Sequence, residues 1–354
     1  MGRGRKPVKQ IRVSVIGASG YGGAETVRLL ATHPSVRLVH VTAETKKGAV
    51  MSALYPNLRG FVDQTMIEAD PERIGGESDV TFLSLPSGAA MNLVPALLKQ
   101  GCKVIDIAAD FRLKDASLYP TWYKVTHTAP EYLAEAVYGL PELHREAIAK
   151  ARLVANPGCY PAAALLALIP LLRSGNVRTQ GIVIDAKSGI SGAGRGGGGG
   201  HAFSETNENV RAYSVVGHSH TAEIEQELSS VTGTTVRVVF TPHLIPMTRG
   251  ILVTAYAPLA AKLSESEAVD LYRQAYASEP FVRVLNDALP ETKATMGSNF
   301  CDVAVTVDQR VGVAIAIAAI DNLGKGAAGQ AVQNMNLMCG LPEETGLKFP
   351  GLYP

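Results

Sequence analysis

The chain has 354 residues, enough for two domains with separate cores. Hydrophobic residues make up 46% and charged residues 18%, and the formal net charge is +1, so nothing favours nucleic acid or an acidic membrane as partner. Cys102, Cys159, Cys301 and Cys339 are scattered without a CxxC pair, and no apolar run reaches the roughly 20 residues of a membrane span, so no disulfide framework, metal site or membrane segment is expected and a reducing cytoplasm is the expected compartment.

The short basic head (Arg3, Arg5, Lys6, Lys9) reads as a frayed tail. Ile11 to Ile16 is a β-branched run of the kind buried on both faces of a sheet. It passes into Gly17-Ala18-Ser19-Gly20-Tyr21-Gly22-Gly23 and then a helical pattern through Val27, Leu29 and Leu30. Strand, glycine turn and helix together form a dinucleotide cradle, in which glycine lets backbone approach a pyrophosphate and the helix start supplies N–H donors. Gly17, Ser19, Gly20, Tyr21, Gly22 and Gly23 are the candidate ligands, although the spacing is G-x-x-G-x-G-G rather than G-x-G-x-x-G.

The next strand, Val36 to Ala43, carries Thr42 and runs into Glu44-Thr45-Lys46-Lys47. Hydroxyls and lysines favour a 2′-phosphate and hence NADP; Glu44 argues for NAD if it points inward. Val80 to Leu85 is a third strand that ends at Ser84, Leu85 and Pro86, and Cys102 to Ile107 is a fourth. This alternation predicts a doubly wound parallel sheet with ligands at the carboxyl ends of its strands, which brings Thr42, Ser84 and Pro86 into the cofactor set. Arg112, just past the fourth strand, is a fork suited to phosphate or carboxylate, or else a structural partner of Asp110.

Asn156-Pro157-Gly158-Cys159-Tyr160-Pro161 joins an apolar run to a buried helical stretch, Ala162 to Leu172. That places Cys159 near a helix N-terminus, where the dipole favours a thiolate; a small buried hydrophobe is the competing reading. Gly181 to Ala186 predicts a strand leading into Lys187-Ser188-Gly189, where Ser188 and Gly189 belong to a site, and then into polyglycine through Gly200. His218-Ser219-His220 opens a helix through Ile224, Leu228 and Val231 and offers a proton partner for Cys159. Thr235–Phe240, Gly250–Ala257, Phe300–Val307 and Val311–Ile320 predict strands in succession, hence a mixed or antiparallel sheet with one face open to a second copy, and Ser264 to Glu267 predicts a capping box. Asp321-Asn322-Leu323-Gly324-Lys325-Gly326 leads into the last helix.

Taken in order, Gly17–Gly23, Asp110-Phe111-Arg112, Pro157–Pro161, His218-x-His220-Thr221-x-Glu223-Ile224, Arg249–Leu252 and Ala319–Gly329 resemble the N-acetyl-γ-glutamyl-phosphate reductase family, related to aspartate-semialdehyde dehydrogenases, over about residues 11–354. The resemblance implies a Rossmann-type NADP(H)-binding domain (1–157, completed by about 323–354) and an α+β catalytic and dimerisation domain (158–322). It implies reduction of an acyl phosphate through a Cys159 thioester, with His218 as acid/base ahead of His220. Arg112 would bind the acyl phosphate, with Asn156 and Glu223 as further substrate contacts; Ser188, Gly189, Asn322 and Gly326 would turn towards the nicotinamide. The assembly would be a homodimer or homotetramer. Two positions depart from the family pattern: Ser219 stands where many members have Arg, and Ala162 where many have Thr. The aminoadipate-specific sister reductases, which tend to carry Asn after the cysteine where Tyr160 stands here, aspartate-semialdehyde dehydrogenase, and a non-catalytic NADP sensor are the alternatives.

Overall fold

The computed structural model describes residues 10–196 and 202–354; the basic head and Gly197–Gly200 of the polyglycine lie outside the described residues. The chain divides into two compact units, the first comprising residues 1–111, 127–156 and 331–348 and the second residues 112–126, 157–330 and 349–354.

In the first unit, β1 (Ile11–Ile16), β2 (Val36–Val41), β3 (Val80–Leu83), β4 (Lys103–Asp106), β5 (Val137–Tyr138) and β6 (Leu153–Ala155) form one sheet in the order β2-β1-β3-β4-β6-β5. Every pairing is parallel. Such a sheet must be covered on both faces, which is why β3 has no exposed residue and why the strands read as unbroken apolar runs. Cys102, at the start of β4, is buried core. Residues 331–348 close this unit: the Asn334 side-chain amide donates to Gly139 O (2.8 Å) and to Asn156 Oδ1 (3.1 Å), and His33 Nε2 meets Asn336 Oδ1 at 3.0 Å.

In the second unit, β7 (Ile182–Ser188), β8 (Arg211–Ala212), β9 (Val238–Leu244), β10 (Ile251–Pro258), β11 (Val282–Val284), β12 (Cys301–Asp308) and β13 (Val313–Ile320) form a mixed sheet in the order β11-β12-β13-β10-β7-β9-β8. β7 and β10 alternate strictly, and β13 does so as far as Ala318. Ile251, Val253, Ala255 and Ala257 of β10 and Ala314, Ala316 and Ala318 of β13 face inward, and the helix Cys159–Arg173 packs on them. Small residues on the sheet let the helix approach closely, and every residue from Tyr160 to Leu172 is buried. On the other face Val183, Val239, Tyr256, Ile315 and Ile317 point outward. The helix Glu265–Ala275 starts in the capping box expected at Ser264, with Glu267 returning the bond.

Two boundaries differ from the sequence reading. Residues 112–126 join the second unit because Gln226, on the helix His220–Thr232, brackets them: its Nε2 donates to Arg112 O (3.0 Å) and its Oε1 accepts from Lys114 N–H (2.8 Å). The tail from Phe349 also returns there, with Leu352 N–H on Met296 O at 2.7 Å. Strand ends shift by up to four residues, most at β9, which runs to Leu244 where the periodicity stops at Phe240.

Leu165 is fully buried in the central helix. Leu165→Ala is expected to cost about 2–5 kcal/mol in urea unfolding, because the surrounding sheet cannot collapse into the space left.

Candidate active site

In the first unit the glycine turn closes directly onto the end of β3. Gly17 has φ 88°, and a Cβ there would stand 2.1 Å from Ser84 O. A Cβ on Gly22 would lie 2.9 Å from Ser84 Oγ, and one on Gly23 2.2 Å from Gly17 O. Thr42 is drawn to the same place: its carbonyl accepts Ala18 N–H (2.9 Å) and its hydroxyl accepts Gly17 N–H (3.4 Å). Gly20 caps the helix Tyr21–Ala31 without a side-chain bond, so the first-turn N–H groups of Tyr21, Gly22 and Gly23 have no intrahelical acceptor. The arrangement fits a pyrophosphate, since the glycines pack the turn tightly against β3 and the helix start presents unbonded N–H donors beside it. Ser19 O accepts the Tyr55 hydroxyl at 2.9 Å, Pro86 is exposed beyond β3, and Glu44 is exposed, while Lys47 pairs with Glu68.

The second unit gathers the chemistry-bearing side chains. Gly158 caps the helix Cys159–Arg173, making Cys159 its first residue. The N–H of Gly158 is held by Glu223 Oε1 at 2.7 Å, and Glu223 Oε2 pairs with Arg112 Nη1 at 3.4 Å. Glu223 has no exposed surface and Arg112 is 6% exposed, so this carboxylate ties the turn bearing Cys159 to the guanidinium. Arg112 is not the partner of Asp110, whose carboxylate instead accepts the N–H groups of Gly88, Ala90 and Met91.

Burial pushes the Cys159 thiol up to about 11, against the pull of the Arg112 charge and the Tyr160 and Cys159 N–H groups, with Glu223 adding to the rise. The helix dipole alone leads to the expectation of a thiolate; in the folded chain desolvation outweighs it, and the resting group is a thiol.

Both histidines stand close by. A Cβ on Gly158 would lie 2.5 Å from His220 Nε2, so the second histidine of the motif packs against the residue before Cys159. His220 N–H donates to His218 Nδ1 at 3.1 Å, which leaves Nε2 as the hydrogen-bearing nitrogen of a neutral His218. Tyr160, Tyr213 and Phe240 surround the His218 ring at centroid distances of 5.8, 5.5 and 5.4 Å. Desolvation lowers His218 to about 4 and His220 well below its ordinary value, with the neighbouring His218 and Arg112 charges acting in the same direction on His220. The site therefore holds a neutral thiol beside neutral imidazoles.

The remaining sequence candidates sit in bonded positions. Ser188 is 2% exposed and its hydroxyl donates to Gly189 O (3.0 Å). A Cβ on Gly189 would meet Thr248 O at 2.7 Å. Asn322 Oδ1 accepts Gly250 N–H (2.8 Å) and its Nδ2 donates to Ser191 Oγ (2.9 Å). Asn156, in the first unit, is fully buried against Asn334. Sequence reasoning missed Tyr213 and Phe240; Tyr213 lies five residues before His218, but nothing in the local pattern marks it as a wall of that ring. The loop between them is unusual, with Ser214 at φ 44° and Val216 at φ 67°, left-handed conformations that a β-branched residue seldom adopts. Among the described residues no group of three or more His, Cys, Asp or Glu is placed to hold a metal, and no helix is long and apolar enough to cross a membrane.

The chain is similar to known proteins along nearly its whole length. Residues 12–151 match the family model described as semialdehyde dehydrogenase, NAD binding domain, and residues 159–322 match the one described as semialdehyde dehydrogenase, dimerisation domain. An N-acetyl-gamma-glutamyl-phosphate reductase of Symbiobacterium thermophilum is 56% identical over 97% of this chain and 99% of its own length. One from Pelotomaculum thermopropionicum is 54% identical over the same shares. Among solved structures, aspartate semialdehyde dehydrogenase II of Vibrio cholerae superposes with a TM-score of 0.73 at 18% identity, covering 94% of this chain and 99% of that one, a likeness of fold.

Each histidine held below its ordinary value takes up its proton on unfolding. The unfolded chain therefore binds more protons than the folded one as pH falls below 6.5, and stability is full above that pH and declines towards about 4. For His218 this amounts to roughly 3 kcal/mol. The urea midpoint is expected to drop over that interval, with a shallower slope in His218→Asn.

Proposed function

Because the chain belongs to the N-acetyl-γ-glutamyl-phosphate reductase family of semialdehyde dehydrogenases, we propose that it reduces N-acetyl-γ-glutamyl phosphate to N-acetyl-glutamate 5-semialdehyde and phosphate with NADPH, in arginine biosynthesis. The observation that carries this reading is Cys159 as first residue of a buried helix, its turn fixed by Glu223, which also pairs with Arg112, and packed against His220, whose ring neighbours His218.

An acyl phosphate is already activated, so the chain has to supply a nucleophile and manage one proton. Cys159 Sγ bonds to the γ-carbonyl carbon and the C–O bond to phosphate breaks, leaving a thioester. The Sγ proton passes to a ring nitrogen of neutral His220, because His218 already bears hydrogen on Nε2 and its Nδ1 lone pair is bonded to the His220 N–H. The oxyanion formed during attack is met by first-turn N–H groups of the helix, Cys159 N–H among them. Bound NADPH supplies the hydride that takes the thioester carbon to the aldehyde level. The C–S bond of the thiohemiacetal then breaks and Sγ recovers its proton from the imidazolium. That return is assigned to run through His218, whose Nε2–H donates to Sγ and is replaced from the imidazolium of His220, the neighbouring ring at 4.6 Å between centroids and packed against Gly158. Arg112 draws the phosphate to this place. Its charge is shared with Glu223, so the substrate contributes the second anion of a guanidinium bridge.

Phosphate-dependent reduction of NADP with N-acetyl-glutamate 5-semialdehyde is expected for the wild type and to vanish in Cys159→Ala. The aminoadipate homologue is expected to react far more slowly. His218→Asn is expected to lose about 100-fold or more in kcat, as for removal of a general acid, and a larger loss in His220→Asn would move the role to the second histidine. Retention of normal turnover by Cys159→Ala would reject the mechanism.

The outward face of the mixed sheet carries Val183, Val239, Tyr256, Ile315 and Ile317, and it lies within the segment matching the dimerisation model. We assign it to a homodimer. Sedimentation is expected to show a dimer for the wild type and a shift to monomer for Tyr256→Glu, since burying a charge there lacks a partner.

A further inference from the structure

Asp321, directly after β13, has no exposed surface, and its carboxylate is the hub of a tight local network. It accepts the N–H groups of Leu323 (2.8 Å), Gly324 (3.2 Å) and Gly297 (2.5 Å), and it pairs with Arg249 Nε at 3.1 Å. From there the chain makes one π-helical turn, Gly324–Ala328. Gly326 N–H donates to Asp321 O (3.0 Å) and Ala328 N–H to Leu323 O (2.9 Å), both at five-residue spacing. Three glycines in this stretch stand where side chains cannot. A Cβ would lie 2.1 Å from Ser298 O at Gly324, 2.4 Å from Asn299 Oδ1 at Gly329, and 2.9 Å from the Cys159 Cβ at Gly326. None has a left-handed φ, so close approach rather than backbone freedom is what each provides.

We infer that Gly326 is a positioning residue for Cys159: the π-turn, pinned by Asp321, is the wall against which the nucleophile is set. The Cys159 Cβ cannot yield by rotating, because it is fixed to the backbone at the first residue of a helix buried from Tyr160 to Leu172. Asn322 holds the same wall from its other end, with both ends of its amide bonded to Gly250 and Ser191. A five-residue turn widens the helix and brings the Gly326 backbone forward; an α-helical turn from the same anchor would carry it elsewhere. This gives the glycine a role different from the cofactor contact expected from its motif. The inference rests on Cys159 being the nucleophile.

The test compares wild type, Gly326→Ala and, as a control, Gly76→Ala, an exposed glycine with nothing within 4 Å of its Cβ position. The three readouts are thermal midpoint, steady-state kinetics with acyl phosphate and NADPH, and the pH profile of Cys159 alkylation by iodoacetamide. Gly326→Ala is expected to lose about 10- to 100-fold in kcat, as for a displacement of a fraction of an ångström to 1 Å at a reacting group. Its alkylation profile is expected to shift along the pH axis and its KM for NADPH to stay within about twofold; Gly76→Ala is expected to match the wild type. Unchanged kcat and alkylation profile in Gly326→Ala overturn the inference. So does a loss confined to a raised KM for NADPH, which would return the residue to the cofactor. If Gly326→Ala does not fold, Asp321→Asn, which keeps an acceptor but loses the Arg249 charge pair, is expected to show the same two changes more weakly, and their absence overturns the inference. A wild type that is alkylated at Cys159 but inactive on the acyl phosphate rejects the proposed activity instead, and the alkylation profiles still decide the positioning role.

Discussion

A carboxylate buried without exposed surface needs partners for both oxygens, and Glu223 finds them in the Gly158 N–H and the Arg112 guanidinium. That requirement organises the second unit around its cysteine. Because the partners come from three separate stretches of chain, satisfying one charge brings the start of the central helix, the segment after β4 and the helix His220–Thr232 into a single arrangement. Replacing Arg112 by a neutral residue would take the opposite charge away from a buried carboxylate, which is destabilising. The same burial determines the protonation of everything nearby, holding the thiol and both imidazoles neutral.

The cost of that choice is a less reactive resting thiol, and the gain is rigidity. A thiolate would need solvent or a bare cation beside it, and either would loosen the packing that holds Cys159 from below and behind. Alanines of β10 and β13 support the helix, aromatic rings surround His218, and the π-turn closes on the cysteine itself. In the mechanism proposed above, activation is deferred to the moment a substrate arrives, when proton transfer to a neutral imidazole accompanies attack.

Much of this was legible in the order of residues. The β-branched run Ile11–Ile16 with its glycines predicts a parallel sheet and a phosphate cradle because both depend on local periodicity and on the absence of side chains. The structure adds what each glycine avoids: Gly17 and Gly22 spare Ser84, while Gly23 packs on Gly17 itself. Cys159 was legible as a helix start but not its protonation, since desolvation is a property of everything packed around it. Tyr213 and Phe240 were invisible for the same reason, since only the folded chain brings both to the His218 ring. Gly326 was noticed for its motif, but its close approach to Cys159 was not legible, because that residue lies far back along the chain.

The first unit is assembled from three stretches of chain, and its last piece arrives late. Asn334 bonds Gly139 and Asn156, and Asn336 meets His33, so the parallel sheet lacks these contacts until residues 331–348 are in place. An N-terminal domain ordinarily folds while the rest of the chain is still being made. Here the first unit cannot close until residues 331–348 have been made, and until then its earlier stretches lack the bonds that Asn334 and Asn336 supply. A chain cut before Ala331 lacks the segment that ties Gly139, Asn156 and His33 together.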